Sequence, residues 1–141
     1  MKTTVTALVA LLAALALVAA GCGGSSEESG GTPTGQEEGS PEEAIEHIGE
    51  VRNQLASALA KYKAGDAEEA DRIVGDAYLE EFEHIEEVLG EEDHELMEEL
   101  EEAISTELRD KIKSGAPAAE VQELVESIND DLAKAEDVLK S

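Results

Sequence analysis

The feature that most constrains the fold is a set of four stretches in which apolar residues recur every three or four positions. This spacing is typical of amphipathic α-helices, because residues three and four apart lie on the same helix face. We therefore predict four helices that bury these apolar stripes against one another. The stripes are Ile45, Ile48, Val51, Leu55, Leu59 and Tyr62; Ile73, Val74, Ala77, Tyr78, Phe82, Ile85 and Leu89; Leu96, Leu100, Ile104, Leu108 and Ile112; and Val121, Leu124, Val125, Ile128, Leu132, Ala135 and Leu139.

The residues between the stripes are typical of helix boundaries. Ser, Asp and Pro favour helix starts, and Gly favours helix ends. Because the connections are short, successive helices must run antiparallel to one another. The sequence thus predicts an all-α domain over residues 40–141, arranged as an up-down-up-down antiparallel four-helix bundle. The predicted helices run from Ser40 to Gly65, from Asp66 to Gly90, from about Asp93 to Gly115, and from Pro117 to Leu139.

The N-terminal segment resembles the signal peptide of a bacterial lipoprotein. Lys2 precedes an unbroken run of fourteen apolar residues, Ala7 to Ala20, which is too short to span a membrane comfortably. Small residues then lead into Cys22, as in the lipobox, although Ala19 stands where the lipobox prefers Leu. The resemblance implies cleavage after residue 21 and lipid on Cys22. It places the protein outside the cytoplasm, on the outer face of the cell membrane or on the outer membrane.

Residues 22–39 are predicted to form a flexible linker after the lipidated cysteine. From Gly23 to Gly39 the composition changes to Gly, Ser, Thr and Glu, and no residue there could anchor a core. The chain is therefore divided into a signal peptide (1–21), a lipidated cysteine with its linker (22–39) and one helical domain (40–141).

The charge of the chain excludes several classes of function. The sequence has 35 acidic against 10 basic residues, a net charge of −25, which repels nucleic acid and concentrates cations. Cys22 is the only cysteine, so a disulfide within the chain is impossible. No nucleophile–base arrangement or phosphate-binding glycine loop is present. We therefore predict neither nucleic-acid binding nor enzymatic activity.

Carboxylates are the candidate metal ligands. Glu81 falls near the middle of the second apolar stripe, where a charged group is costly unless paired. One interpretation groups Glu81 with Glu83 and Glu86 around iron or another hard cation, because such ions prefer oxygen ligands. The other interpretation is purely structural and has two ion pairs at points open to water. These pairs are Glu81 with Arg52, and Glu107 with Lys111.

A buried di-iron centre is disfavoured. Glu81 and His84 fit the Glu-x-x-His pattern of ferritin-like bundles. On a regular helix, however, His84 lies roughly 100° from the centre of its apolar stripe, and His47 lies about 80° from its own. We therefore predict surface histidines.

Several segments resemble the extracytoplasmic helical domain attached to bacterial Ftr-type iron permeases. The resemblance covers about Tyr62 to Leu139 and is strongest in Asp76–Glu86 and at the restart Gly115-Ala116-Pro117. It implies a soluble module of an iron-uptake system, tethered by lipid instead of by a permease domain, whose Arg-Glu-x-x-Glu membrane motif this chain lacks. The positions that match are Tyr78, Phe82, Glu83 and Glu86.

Two functions from different classes remain open. The first is a non-enzymatic binding module for iron or another metal, working beside an iron permease or another envelope protein. The second is a structural or protein-interaction lipoprotein whose acidic surface serves only solubility.

The anchor can be tested by mass spectrometry of the native protein. We expect the first 21 residues to be missing and acyl chains to be attached to Cys22. Cys22→Ser should leave the precursor unprocessed by the lipoprotein route. Cleavage elsewhere with a free thiol would show that the anchor is wrongly assigned.

Overall fold

The computed structural model describes residues 39–141, and this part of the chain is all-helical. Helix α1 is Pro41–Lys63, α2 spans 67–92, α3 spans 94–114 and α4 is Ala118–Leu139. No strand occurs among these residues. The predicted helical class and the prediction of four helices are confirmed. The signal peptide, Cys22 and nearly all of the linker lie outside the described residues.

Polar side chains begin the first three helices, as predicted. The Ser40 hydroxyl accepts a hydrogen bond from the Glu43 backbone N–H at 3.2 Å, and the Glu43 carboxylate accepts one from the Ser40 N–H at 3.1 Å. This reciprocal capping box satisfies two N–H groups that the helix itself leaves unpaired. Asp66 and Asp93 cap α2 and α3, each accepting from the backbone N–H three residues further on.

Two of the three predicted glycine stops are confirmed. Gly65 and Gly115 adopt φ of 89° and 72°, a left-handed conformation that favours glycine because it lacks Cβ. The predicted end at Gly90 is wrong, because α2 continues to Glu92. Gly90 is not left-handed, and the break comes instead at Asp93, whose extended backbone starts the next helix.

The middle of α2 and the middle of α3 are wound as π-helix, at Ala77–Phe82 and Ala103–Leu108. In α3 the apolar residues are spaced strictly by four. On a regular α-helix, four such steps would drift by roughly 160° around the axis. A π turn takes up an extra residue and returns the stripe to the same face. All five residues are therefore buried: Leu96, Leu100, Ile104, Leu108 and Ile112.

Helices α1 and α4 contain no π segment, and their apolar spacing explains why. Both alternate steps of three and four, which keeps the stripe within about 40° of its centre on a regular helix. The buried residues are Ala44, Ile48, Val51, Leu55 and Ala58 in α1, and Val121, Val125, Ile128, Leu132, Ala135 and Leu139 in α4.

The core is made of aliphatic side chains and one aromatic ring. Phe82 is its largest fully buried member, and no polar or charged side chain is buried within residues 39–141. At one end, the Tyr62 hydroxyl donates to the Ala116 carbonyl at 2.5 Å, which joins the end of α1 to the turn before α4. In the described part of the chain, no helix is long and apolar enough to cross a membrane.

Contacts between segments define which helices are neighbours. Helix α1 contacts both α2 and α4, and α4 also contacts α3. The beginning of α2, Ala67–Asp76, contacts the end of α3, Arg109–Ser114. The end of α2, Glu83–Glu92, contacts the beginning of α3, His94–Glu102. Partly buried ion pairs join neighbours, Arg52 with Glu136 and Arg109 with Asp71.

The origin of the π segment in α3 can be tested by deleting one residue. Deleting Thr106, an exposed residue in this segment, leaves apolar steps of four, four, three and four, which suit a regular α-helix. We expect this variant to unfold within about 1 kcal/mol of the parent, because the same side chains stay buried. The measurement is chemical denaturation followed by circular dichroism.

Deleting Asn53 is the matched control, since Asn53 is also exposed, polar and uncharged, but lies in a purely α-helical region. The deletion turns Leu55 and Ala58 about 100° away from Ile48 and Val51. We expect a loss of several kcal/mol, because large apolar side chains leave the core. Equal losses in both variants would contradict the link between spacing and π segment.

Candidate cation site

The three glutamates predicted as metal ligands, Glu81, Glu83 and Glu86, do not come together as one ligand set. Glu81 lies against α1, where its carboxylate is 2.8 Å from the ring of His47. Glu86 lies beside Glu101 of α3, and the exposed Glu83 is close enough to Glu86 to act on its charge. Metal binding by these three residues stays a prediction.

Glu86 occupies an unusual position between α2 and α3. Its Oε1 atom is buried and has no hydrogen-bond partner. The neighbouring Tyr78 has a single hydroxyl proton, which it donates to Oε1 of Glu101 at 3.3 Å. Tyr78 is positioned by the buried Phe82, whose ring is stacked at a centroid distance of 6.0 Å. The Tyr78 hydroxyl thus has two carboxylates beside it and only one proton to donate.

The electrostatics of this group follow from that crowding. Burial raises the pKa of the Glu86 carboxyl, and the negative charges of Glu101 and Glu83 raise it further. Burial also raises the pKa of the Tyr78 hydroxyl to about 12, with Glu86 and Glu101 adding to the effect. Each shift means that negative charge is disfavoured here. A positive partner would relieve the repulsion.

The predicted ion pair between Glu81 and Arg52 is wrong. Arg52 pairs with Glu136 of α4, whereas Glu81 bonds the ring of His47 and accepts from the Gln54 amide at 3.3 Å. Glu81 is part of the π segment Ala77–Phe82. The Glu81 side chain therefore points in a different direction from the one a regular helix would give it. The prediction depends on a regular helix.

The predicted pair between Glu107 and Lys111 is also wrong. Glu107 is exposed, and Lys111 donates instead to Glu120 of α4 at 3.1 Å. Glu107 belongs to the π segment of α3. Its side chain therefore does not lie in the apolar stripe, where a regular helix would put it.

The histidines lie at the surface, as the sequence predicts. His84 and His94 are exposed, His47 is about one-third exposed, and His94 is 3.3 Å from Glu98. Within residues 39–141, no three His, Cys, Asp or Glu side chains already stand as a metal-ligand set.

Two features of these sites were not predicted from the sequence. Glu101 lies on a different helix from Glu86, and residue spacing along one helix carries no information about such a neighbour. The stacking of His47 on His84 at a centroid distance of 4.6 Å is equally a contact between helices.

The chain matches no protein-family model, no curated protein and no solved structure. The resemblance to the domain of Ftr-type iron permeases therefore stays a prediction. The lipidation of Cys22 stays one too, since that residue lies outside the described part of the chain.

Replacing Glu86 by Gln should stabilise the fold at neutral pH. A carboxyl whose pKa is raised by folding contributes stability below its unfolded pKa, and that contribution is lost as the pH rises through the folded pKa. We therefore expect Glu86→Gln to melt above the parent at pH 7. The advantage should vanish near pH 4, where the parent carboxyl is protonated too.

The matched control is Glu91→Gln, which removes the same charge from an exposed position on the same helix. Melting curves from pH 4 to 8 provide the measurement. A Glu86→Gln variant that is less stable than Glu91→Gln at neutral pH would show that the Glu86 charge is not a source of strain.

Proposed function

We propose that this chain is a lipid-anchored, extracytoplasmic helical module that binds a hard cation and serves the uptake of iron or a related metal. In this proposal it is neither a transporter nor an enzyme. One observation carries it. The Oε1 atom of Glu86 is buried without a partner, beside the carboxylates of Glu101 and Glu83.

The chemistry of this group suits a hard cation. A carboxylate partly withdrawn from water is costly unless a charge or hydrogen bond compensates it. Burial and two acids disfavour the charge of Glu86, and the Tyr78 hydroxyl offsets them only in part. Carboxylate and hydroxyl oxygens are ligands for Mn²⁺, Ca²⁺ and iron ions. A cation between Glu86 and Glu101 would turn this repulsion into attraction.

The charge of the whole chain supports the same function. A net charge of −25 raises the local concentration of cations around the protein. This general attraction does not choose between ions. The selectivity would come from the oxygen ligands at Glu86, Glu101 and Tyr78.

An up-down-up-down bundle is part of the proposal, because it would hold the two halves of the site together. The neighbours of each helix support it. Helix α1 contacts α2 and α4. The beginning of α2 contacts the end of α3, and the end of α2 contacts the beginning of α3, as in an antiparallel pair. In this arrangement, Glu86 and Glu101 face each other across adjacent helices joined at Asp93.

The anchor and the partner follow from resemblance. A lipid on Cys22 would hold the module at a membrane surface, near an iron permease or another envelope protein. The positions that match the permease-associated domain are Tyr78, Phe82, Glu83 and Glu86. The first two stack on each other, and Tyr78 lies beside Glu86, which supports the proposal.

The proposal can be tested by thermal unfolding with micromolar metal at constant ionic strength. The full-length protein is titrated with Fe²⁺ under argon, Mn²⁺, Ca²⁺ and Mg²⁺. A specific site should stabilise the fold by about 2.7 kcal/mol at one hundred times Kd. Glu86→Gln and Glu101→Gln should abolish this effect, because each removes one of the two facing carboxylates.

Two controls separate a site from general screening. Sodium chloride should stabilise the parent and the variants alike, since it relieves the repulsion of the whole surface. Glu91→Gln should keep the response to micromolar metal. If no metal moves the melting curve of the parent, metal binding is wrong, and the protein-interaction lipoprotein becomes the better interpretation.

A further inference from the structure

Two histidines from different helices meet at the surface between α1 and α2. The rings of His47 and His84 are stacked with a centroid distance of 4.6 Å and an interplanar angle of 24°. Two of the three histidines in the chain therefore lie in contact with each other. This pair is apart from Glu86, which faces α3.

His47 is held by a carboxylate behind its ring. Nδ1 of His47 is 2.8 Å from Oε2 of Glu81, and Gln54 donates to the other oxygen of the same carboxylate at 3.3 Å. The Glu81 side chain is only 18 % exposed, which restricts its motion. When the Nδ1 atom of a histidine donates to a carboxylate, Nε2 carries the lone pair that binds a metal. Proteins orient metal-binding histidines in this way.

Further carboxylates line the same surface cavity. Its walls are Gly39, Glu43, His47, Glu83, His84 and Glu87. Glu87 lies three residues after His84, so both side chains project from the same face of α2. Glu87 is exposed, whereas Glu43 is engaged in the capping box of α1.

We propose that His47, His84 and Glu87 bind a divalent transition metal of intermediate softness, such as Zn²⁺, and that Glu81 positions His47. Imidazole nitrogens favour this class of ion over Ca²⁺ or Mg²⁺. The proposal is independent of the hard-cation site at Glu86, because the two share no ligand.

The site would close by a rotation of side chains. Ligand nitrogens lie 2.0–2.1 Å from Zn²⁺, so two of them in a tetrahedral site are roughly 3.3 Å apart. The stacked rings must therefore tilt until their lone pairs converge. His84 is exposed and free of the restraint that Glu81 places on His47, so His84 is the ring that moves.

The test is a calorimetric titration of the full-length protein with Zn²⁺, in millimolar Mg²⁺ to occupy the general acidic surface. We expect one Zn²⁺ per chain. His47→Gln and His84→Gln should each weaken binding at least tenfold, because each removes a ligand. Glu81→Gln should weaken it by roughly tenfold or more, the usual effect of losing the partner behind a ligand histidine.

His94→Gln and Glu86→Gln are the controls. His94 is an exposed histidine beside Glu98, so its loss should leave the affinity for Zn²⁺ unchanged. Glu86→Gln should leave it unchanged too, although the same variant loses the hard-cation response. The two proposals can therefore fail separately.

Nitrogen NMR of the imidazole rings adds a spectroscopic test. Zn²⁺ should shift the ring signals of His47 and His84 and leave those of His94 in place. In Glu81→Gln, the His47 signals should change their tautomer pattern before any metal is added. Equal shifts at all three histidines, or full Zn²⁺ affinity in His47→Gln and His84→Gln, would overturn the proposal.

Discussion

The constraint on which the rest of this structure depends is the spacing of apolar residues along α2 and α3. In α3 that spacing is a strict four, and burying the whole stripe requires a turn wider than the α-helix provides. The π segment of α2 has a further effect. Tyr78 and Glu81 both belong to it, and Tyr78 reaches α3 while Glu81 reaches α1. The same winding that completes the core thus supplies residues to both candidate sites.

Charge and burial are sharply separated in this domain. Its core contains no buried polar or charged side chain among residues 39–141, and its acids lie on the surface or between helices. Some of these acids are compensated, as Asp71 is by Arg109, whose guanidinium lowers the pKa of the Asp71 carboxyl. Glu86 is different, because its nearest charged neighbours are also acids. The Glu86 carboxylate therefore has repulsion from acids without compensation by a neighbouring base.

The helices and most of their ends could be predicted from the sequence, because caps and left-handed glycines are local features. Ser40 and Asp66 cap the starts of helices, and Gly115 ends a helix in the left-handed conformation. The partners of charged side chains could not be predicted, since they depend on how one helix lies against another. The wrong partners assigned to Glu81 and Glu107 have a common cause. Both predictions depend on a regular helix of 3.6 residues per turn, whereas Glu81 and Glu107 lie in π segments.

The scarcity of aromatic residues has an optical consequence. The chain has no Trp and two Tyr, so its near-ultraviolet absorbance and its intrinsic emission come almost entirely from Tyr62 and Tyr78. These rings report different places. Tyr62 donates to the Ala116 carbonyl at one end of the domain, and Tyr78 lies against Glu101 and Glu86. Replacing Tyr62 by Phe would leave a single chromophore beside the paired carboxylates. This variant then carries its own spectroscopic probe of that group, without an added label.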